Sequence, residues 1–504
     1  MGRRHNDFVS LYNAVALLLS RLKYLNPELF YRYESLDGLR LSREAEAEIS
    51  RYLCDVKSSA NASGKELSYF LVHYGVPSES LNRVLSEEKI KGNFKAIHEI
   101  INALTKSIQI DDLTKYIQEL SPGFISLNDN AEETGFLILP RFAAINERIE
   151  SGADDGRPPY TWANDRFHIK YSHLYYIEKE KLTTDSGRKY TIKNYIMDTL
   201  DTEKTALDNL IVAVSPISFS DSLILPKQFD TRQDEAGNTR SFFHVDGLKN
   251  VQRIHSRIES AFIAACRIKA DILLFPEMFG DAESFGDAFW EKLFDQAESE
   301  DLQVPKVIIT PTWWHKNKNE LKVMTNGMET LFIQQKQYPF DFKTAGTSPE
   351  SIVTEDLRDI DNTIHILHYP GIGRLVVPIC KDYLIASYRN ILLKELYATV
   401  TLIPSFSFGA TFFGLSMLDA MQYGCYVIWI NTCSAFWSKT PPVFIGAAAN
   451  PFATIGQSPC TQINPVCGMQ CGEDSNTCLF AVSISLGDER TVTCEHVFYP
   501  KDNM

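Results

Sequence analysis

The sequence contains no apolar run that approaches the roughly 18 residues needed to cross a lipid bilayer. Its first residues resemble a secretory signal only in having Arg3 and Arg4 ahead of an apolar stretch. Asp7 and Asn13 interrupt that stretch, and no small-residue cleavage site follows it. We therefore predict an amphipathic helix at this end, a cytoplasmic protein and no membrane partner.

Cysteine and excess positive charge are also scarce. Ten cysteines in 504 residues are too few for a disulfide scaffold, so we expect reduced thiols. A net charge of -14 does not favour nonspecific binding to nucleic acids or to anionic membranes. Hydrophobic residues make up 44% of the chain, which is an ordinary value for a soluble globular protein.

The chain divides into three regions by pattern. Residues 1–120 carry apolar stripes at helical spacing, such as Leu11, Val15 and Leu18, and predict a mostly α-helical N-terminal domain with a structural or partner-binding role. Residues 121–205 form a mixed connecting region that is rich in turn signals. From 206 to 504, strand and helix signals alternate, which predicts a layered α/β domain.

Cys380 lies at the centre of the α/β region. An apolar strand is predicted from Leu375 to Ile379, and a helical pattern opens at Asp382. A cysteine on a turn before a helix is close to unpaired N–H groups and a positive helix end, which favour the thiolate. The residue is thus a candidate nucleophile, although a buried structural cysteine is the common alternative.

Three complementary chemical groups follow predicted strands. DILLF is followed by Glu277, TLFIQQ by Lys336 and RLVVPI by Cys380. Catalytic groups of α/β sheets collect at strand ends, so these side chains are expected to meet. A carboxylate can accept the thiol proton, an ammonium can stabilise an oxyanion, and a thiolate can attack carbon.

The sequence around these residues resembles the nitrilase superfamily of carbon-nitrogen hydrolases over about residues 206–490. The similar motifs are ADILLFPEMFG, QQKQYP and VVPICKDY, in that order, followed by IPSFSF and YVIWINTC. The resemblance implies an αββα four-layer sandwich that forms a homodimer or higher oligomer.

The same resemblance implies a mechanism. Glu277 would be the general base, Cys380 the nucleophile and Lys336 the oxyanion partner, helped by the backbone N–H of Lys381. The substrate would be a small-molecule amide or carbamoyl compound, with a nitrile less favoured. Neither a metal nor another cofactor is implied.

Two features depart from the resembled pattern. Family members often carry a second active-site Glu between the Lys and the Cys, and four acidic residues here are candidates: Asp341, Glu350, Glu355 and Asp356. In addition, Pro378 lies in the predicted strand before Cys380, where a proline suggests a bulge or a sheet edge.

Other interpretations remain open. A Cys-His hydrolase would pair Cys380 with His365 or His368. A catalytically silent nitrilase-like scaffold would leave the N-terminal helical domain to bind a protein or nucleic-acid partner. Two further groups of residues carry weaker hypotheses: a substrate pocket lined by Trp314, Tyr338 and Phe406, and a metal site or, alternatively, reduced loop thiols at Cys460, Cys467, Cys471 and Cys478.

Overall fold

The computed structural model describes a defined part of the chain: residues 43, 47, 136–138, 176–178, 182–197, 209–217, 223–224, 229–233, 239–343, 352–369, 372–407, 409–435, 445–453, 458–464, 478–485 and 491–497. Almost all of the predicted helical region 1–120, including its apolar stripes, lies outside the described residues.

The strands within the described residues follow in chain order. The first eight are β1 (Phe136–Ile138), β2 (Tyr176–Glu178), β3 (Thr191–Ile196), β4 (Asn209–Val214), β5 (Leu223–Ile224), β6 (Asp230–Gln233), β7 (Thr239–Phe243) and β8 (Gly247–Leu248). The next eight are β9 (Ile272–Leu274), β10 (Val307–Ile309), β11 (Trp313–His315), β12 (Lys318–Thr325), β13 (Thr330–Gln335), β14 (Asp341–Lys343), β15 (Ile352–Glu355) and β16 (Thr363–Tyr369). The last seven are β17 (Gly373–Val376), β18 (Val400–Pro404), β19 (Tyr426–Ile430), β20 (Gly446–Ala449), β21 (Cys460–Ile463), β22 (Leu479–Ser485) and β23 (Val492–Val497).

Helices alternate with these strands, as the sequence predicts for an α/β fold. They are α1 (Val251–Arg267), α2 (Asp287–Ser299), α3 (Lys381–Leu384), α4 (Ala386–Asn390) and α5 (Ala410–Met421), with a π-helical turn at Ile391–Glu395 and a 3-10 turn at Cys433–Ala435. None of the helices in the described ranges is long and apolar enough to span a membrane.

Two large mixed sheets organise the domain. The eight-stranded sheet has the order β11-β12-β10-β9-β4-β22-β23, with β13 paired to β12, and its β4, β9 and β10 are parallel neighbours. The seven-stranded sheet has the order β21-β20-β19-β18-β17-β16-β3, with β17, β18 and β19 parallel.

Alternation along the strands explains how the sheets pack. In β9, Ile272 and Leu274 join a cluster that also contains Ile366 of β16 and Leu402 of β18, so the two sheets share one core. Leu273, which points to the opposite face of β9, packs in a second cluster with residues of α1 and α2. Helices therefore cover the outer face of the eight-stranded sheet.

The segment after Cys380 differs from its prediction. The continuous helix expected from Asp382 is instead broken into α3, α4 and the π-helical turn. Pro378 is neither in a bulge nor at a sheet edge, because β17 ends at Val376 and lies between β16 and β18. The proline therefore follows the ladder and removes no strand hydrogen bond.

The connecting region contributes a strand to the second sheet. β3 lies at the edge of the seven-stranded sheet and runs parallel to β16 over six residue pairs, from Thr191 opposite Thr363 to Ile196 opposite His368. A tight turn precedes β3, with Gly187 at a φ of 80°. Residues 182–197 are thus continuous with the sheet that carries Cys380.

A small four-stranded sheet, in the order β14-β15-β7-β6, packs beside these elements. Strands β6 and β7 come from the segment between β4 and α1, whereas β14 and β15 follow Lys336. Asp356, directly after β15, accepts hydrogen bonds from Arg232 of β6 and from Arg358. The Arg232 bonds thus add to the β7–β15 pairing that attaches the β6–β7 hairpin to β15.

Candidate active site

Three strands deliver the predicted residues to one buried position. Glu277 lies three residues after β9, Lys336 directly after β13 and Cys380 four residues after β17. The Glu277 turn is shaped by Met278, whose φ of 74° is strained for a side chain of this size, and its N–H donates to Thr312 Oγ1 at 2.7 Å. All three predicted side chains are buried.

The Lys336 ammonium lies between two carboxylates. Its Nζ is 2.6 Å from Glu277 Oε1 and 2.7 Å from Glu355 Oε2. Burial alone would lower the pKa of Lys336, but Glu277 and Glu355 raise it well above its usual value. Lys336 is therefore a fixed positive charge in the resting site.

Glu355 is the one of the four acidic candidates whose carboxylate contacts Lys336 within the described residues. Of the other three candidates, Asp341 binds Lys381 Nζ at 2.7 Å, Asp356 binds the two arginines, and Glu350 lies outside the described residues. Phe340 N–H donates to Glu355 Oε2 at 2.9 Å. Burial raises the pKa of Glu355, Lys336 opposes that rise, and Glu277 adds to it, with a net upward shift.

Asn319 is a site residue that the sequence analysis missed. Its Nδ2 donates to Glu277 Oε1 at 2.8 Å and to Glu355 Oε1 at 3.2 Å. Its backbone carbonyl accepts a hydrogen bond from the backbone N–H of Lys336 at 2.9 Å. One side chain thus spaces both carboxylates around the ammonium. A signal was present, because Asn319 shares a β12 face with the core residues Leu321 and Val323, where a buried polar group needs partners.

Cys380 is held in a strained conformation, with φ 50° and ψ -110°. Its N–H donates to Pro404 O at 2.9 Å, and its Sγ lies 3.8 Å from Phe406 O. Glu277 is itself anchored by the Phe406 N–H, which donates to Oε2 at 2.8 Å.

The expectation of a resting thiolate is wrong. Burial raises the pKa of Cys380 well above its usual value, Glu277 adds to the rise, and Lys336 only partly opposes it. The helix that starts at Lys381 spans four residues, so its dipole is short. Cys380 therefore rests as a thiol, and its proton must move before the sulfur can attack.

Asp382 joins the lysine and cysteine loops. Its carboxylate accepts the N–H groups of Gln337 at 3.0 Å, Tyr338 at 2.8 Å and Ile379 at 3.3 Å. Burial raises the pKa of Asp382 to about 7, although Lys336 and these amides lower it. The backbone just after Lys336 and the backbone just before Cys380 are thus held by one buried carboxyl group.

The predicted pocket residues occupy different environments. Trp314 and Phe406 are buried in the core cluster against α1 and α2, and Phe406 contacts the site through its backbone. Tyr338 follows Lys336 by two residues and is half-buried. Its hydroxyl accepts a hydrogen bond from the Tyr190 hydroxyl at 2.9 Å. Of the three, Tyr338 is the one with a partly exposed ring.

The two histidines considered for a Cys-His pair bond elsewhere. His365 Nδ1 is 3.0 Å from the Tyr195 hydroxyl, and His368 Nε2 is 3.0 Å from Asn194 Oδ1, both on β3. Burial lowers the pKa of His365 to about 4 and that of His368 to about 3, so both are neutral at neutral pH. The side chains that these two nitrogens bind are therefore on β3, not at the Cys380 thiol.

No cluster of metal-ligating side chains occurs within the portion of the chain that the structure describes. Cys460 and Cys478 lie within that portion, whereas Cys467 and Cys471 lie outside the described residues. The hypothesis of a metal site at these four cysteines therefore stays a prediction.

Comparison with known proteins gives partial structural overlaps. No protein-family model matches the chain, and neither does any curated protein sequence. Saccharomyces cerevisiae Nit3, of branch 10 of the nitrilase superfamily, overlaps 52% of this chain and 93% of its own at 14% identity and a TM-score of 0.31.

Two further solved structures overlap less of their own length. For the C. elegans NitFhit protein, the overlap covers 56% of this chain and 62% of that one, at 14% identity and a TM-score of 0.31. For an N-terminal amidase with an Asn-Glu-Ala peptide, the overlap covers 42% of this chain and 54% of that one, at 14% identity and a TM-score of 0.19. This chain spans less than two thirds of the length of either, and similarities at this level assign it no activity.

Proposed function

We propose that this protein is a carbon-nitrogen hydrolase of the nitrilase type, acting on a small amide or carbamoyl compound. One observation carries the proposal: a buried ammonium, Lys336, is fixed between the carboxylates of Glu277 and Glu355 beside a strained cysteine thiol. A base, an oxyanion partner and a nucleophile are then within reach of one carbonyl carbon.

In the first half of the reaction, the Cys380 proton moves to Glu277 as the sulfur attacks the carbonyl carbon. The C–O π electrons move to oxygen, and the resulting oxyanion is stabilised by Lys336 Nζ and the backbone N–H of Lys381. The Cys380 N–H is already bonded to Pro404 O, which leaves the Lys381 N–H as the neighbouring amide donor. Glu277 then returns its proton to the leaving nitrogen, and a thioester remains.

In the second half, Glu277 removes a proton from water as the water oxygen attacks the thioester carbon. The second tetrahedral intermediate collapses with release of the carboxylic acid, and the sulfur recovers the proton from Glu277. The sum is amide plus water to acid plus amine, with the protein unchanged. Glu355 stays on Lys336 throughout and holds the ammonium in place.

The test is a screen of small amides, carbamoyl compounds and nitriles for ammonia release. Cys380→Ala is expected to abolish release, whereas Cys425→Ala, which removes another buried cysteine side chain, should retain it. Mass spectrometry of the intact chain during turnover should reveal an acyl adduct on the Cys380 peptide. Ammonia release by Cys380→Ala at the wild-type rate would refute the proposal. It would also be refuted if the wild-type protein hydrolysed none of the compounds and an alkylating reagent modified Cys380 no faster than Cys425.

The proposal extends to architecture and compartment. The shared core between the two sheets and the helices outside the eight-stranded sheet support a four-layer αββα arrangement. Ten cysteines in 504 residues are too few for a disulfide scaffold, which supports a reducing compartment such as the cytoplasm. A partner for the N-terminal region remains a hypothesis.

We also propose that two copies associate through α5. The helix buries Phe413 and Met417 on one side. Its other side exposes three uncharged apolar residues, Phe412, Leu415 and Leu418. In a two-fold interface a surface meets its own copy, so an uncharged apolar face suits self-association. Light scattering should give twice the chain mass for wild type and for the exposed control Met328→Glu, but a monomer for Leu415→Glu. A wild-type monomer, or a Leu415→Glu dimer, would contradict the proposal.

A further inference from the structure

Arg188 and Tyr190, which precede β3, touch the loop that carries Lys336. The turn that presents them closes through bonds between Thr184 N and Arg188 O and between Tyr190 N and Leu182 O, both 2.9 Å. β3 itself is fixed to β16 by parallel pairing. The two side chains are therefore presented from a paired segment outside the region that resembles nitrilases.

The contacts fall on the two residues directly after Lys336. Arg188 NH1 donates to Gln337 O at 2.6 Å, and its guanidinium lies 4.6 Å from the centre of the Tyr338 ring. The Tyr190 hydroxyl donates to the Tyr338 hydroxyl at 2.9 Å. Both tyrosine rings also pack edge-on against Tyr388, on α4 downstream of Cys380.

This loop is held from two sides. Asp382 accepts the N–H groups of Gln337 and Tyr338, while Arg188 binds the Gln337 carbonyl. Asp382 alone fixes one side of the peptide, and the loop could still rotate about that attachment. The added bonds from Arg188 and Tyr190 restrict this rotation and hence the backbone from which the Lys336 side chain extends.

We propose that Arg188 and Tyr190 are positioning residues for Lys336, and that the segment before β3 is a working part of the active site. The inference rests on the proposed hydrolase function for the role of Lys336. It assigns catalytic support to residues that touch neither the thiol nor the carboxylates. A misplacement of about 1 Å in such a group costs on the order of 100-fold in rate.

The test compares full-length variants by turnover. Arg188→Leu is expected to lower kcat about 10- to 100-fold and Tyr190→Phe about 3- to 10-fold, with KM nearly unchanged, because an oxyanion partner acts mainly in the transition state. Arg188→Lys should recover part of the loss, since an ammonium can still donate to Gln337 O. Tyr195→Phe is the matched control, because it removes a hydroxyl on β3 that binds His365 of β16.

A second measurement does not need a substrate. The rate of Cys380 alkylation by iodoacetamide is followed against pH by mass spectrometry. Lys336 lowers the pKa of Cys380, so a less well placed Lys336 should move the alkylation midpoint to higher pH in Arg188→Leu and Tyr190→Phe but not in Tyr195→Phe. A midpoint shift in a chain that hydrolyses nothing would refute the hydrolase function and retain the positioning role.

Thermal unfolding separates positioning from simple loss of stability. The proposal requires Tyr190→Phe and Tyr195→Phe to unfold at similar temperatures while only the former loses turnover and shifts the alkylation midpoint. If the Arg188 and Tyr190 variants match wild type in both readouts, the proposal is wrong. It is equally wrong if turnover in all of the variants simply follows their unfolding temperatures.

Discussion

Replacing Asn319 with leucine, which has a similar shape, should weaken both the fold and the site. The substitution removes the 2.8 Å bond to Glu277 and the 3.2 Å bond to Glu355, while the Asn319 carbonyl keeps its bond to Lys336 N–H. A hydrogen bond to a charged group contributes about 1.5–3 kcal/mol, and the longer bond contributes less. Asn319 Oδ1 has no partner among the described residues, so its removal returns part of that cost.

The net expectation for Asn319→Leu is a loss of about 1–3 kcal/mol in the free energy of unfolding, measured by urea denaturation, and a loss of about 10- to 100-fold in turnover. Asn319→Asp is the informative companion, because it adds a third carboxylate beside Glu277 and Glu355. It should be less stable than Asn319→Leu at pH 8, and the gap should narrow at acidic pH. Wild-type stability in Asn319→Leu, or equal stability of the two variants at pH 8, would refute the reasoning.

Three further predictions concern the surroundings of the site. Because the pKa of Asp382 is raised to about 7 in the folded protein, its contribution to stability is present below about pH 4 and is lost as pH rises to 7. In urea titrations across that interval, wild type should lose about 4 kcal/mol of unfolding free energy relative to Asp382→Asn. A difference between the two proteins that stays constant with pH would contradict the raised pKa. Gly373 has a φ of 115°, and a Cβ there would clash with Thr399 Oγ1. Gly373→Ala should therefore lower the free energy of unfolding by several times the roughly 1–2 kcal/mol expected for Gly187→Ala, where nothing lies within 4 Å of the added Cβ. Equal melting temperatures of the two variants would contradict this prediction. Arg232→Leu should lower turnover more than Arg358→Leu, because Arg232 reaches from β6 to Asp356, next to Glu355, and adds to the pairing of β7 with β15, whereas Arg358 lies only two residues after Asp356. Kinetics that do not distinguish the two variants would argue against a role for the hairpin.

The elements around the site could be predicted where the information is local. The apolar runs before Glu277, Lys336 and Cys380 correspond to β9, β13 and β17, and the apolar start of the YVIWINTC motif is β19. Gly424 has a φ of 67°, as expected for the turn between α5 and that strand. Each of these features is determined by neighbouring residues in the chain.

Other features depend on contacts between distant residues. Glu355 could not be separated from three other acidic candidates, because its selection depends on the parallel pairing of β15 with β7, more than one hundred residues earlier. The state of the Cys380 thiol was predicted from a helix end, but burial and the carboxylate of Glu277 outweigh that effect. The N–H pattern at Asp382 likewise depends on the fold bringing the Lys336 loop to it.

The position of β3 determines where this chain can be divided without harm. All seven residues of β16 are buried, and β3 supplies the hydrogen-bonding partner on one side of that strand. A fragment that starts at residue 206 would present the backbone of a long apolar strand to solvent, which is a template for intermolecular β-pairing and aggregation. A recombinant fragment that contains Cys380 should therefore begin before residue 182, and fragments that begin at residue 206 should precipitate.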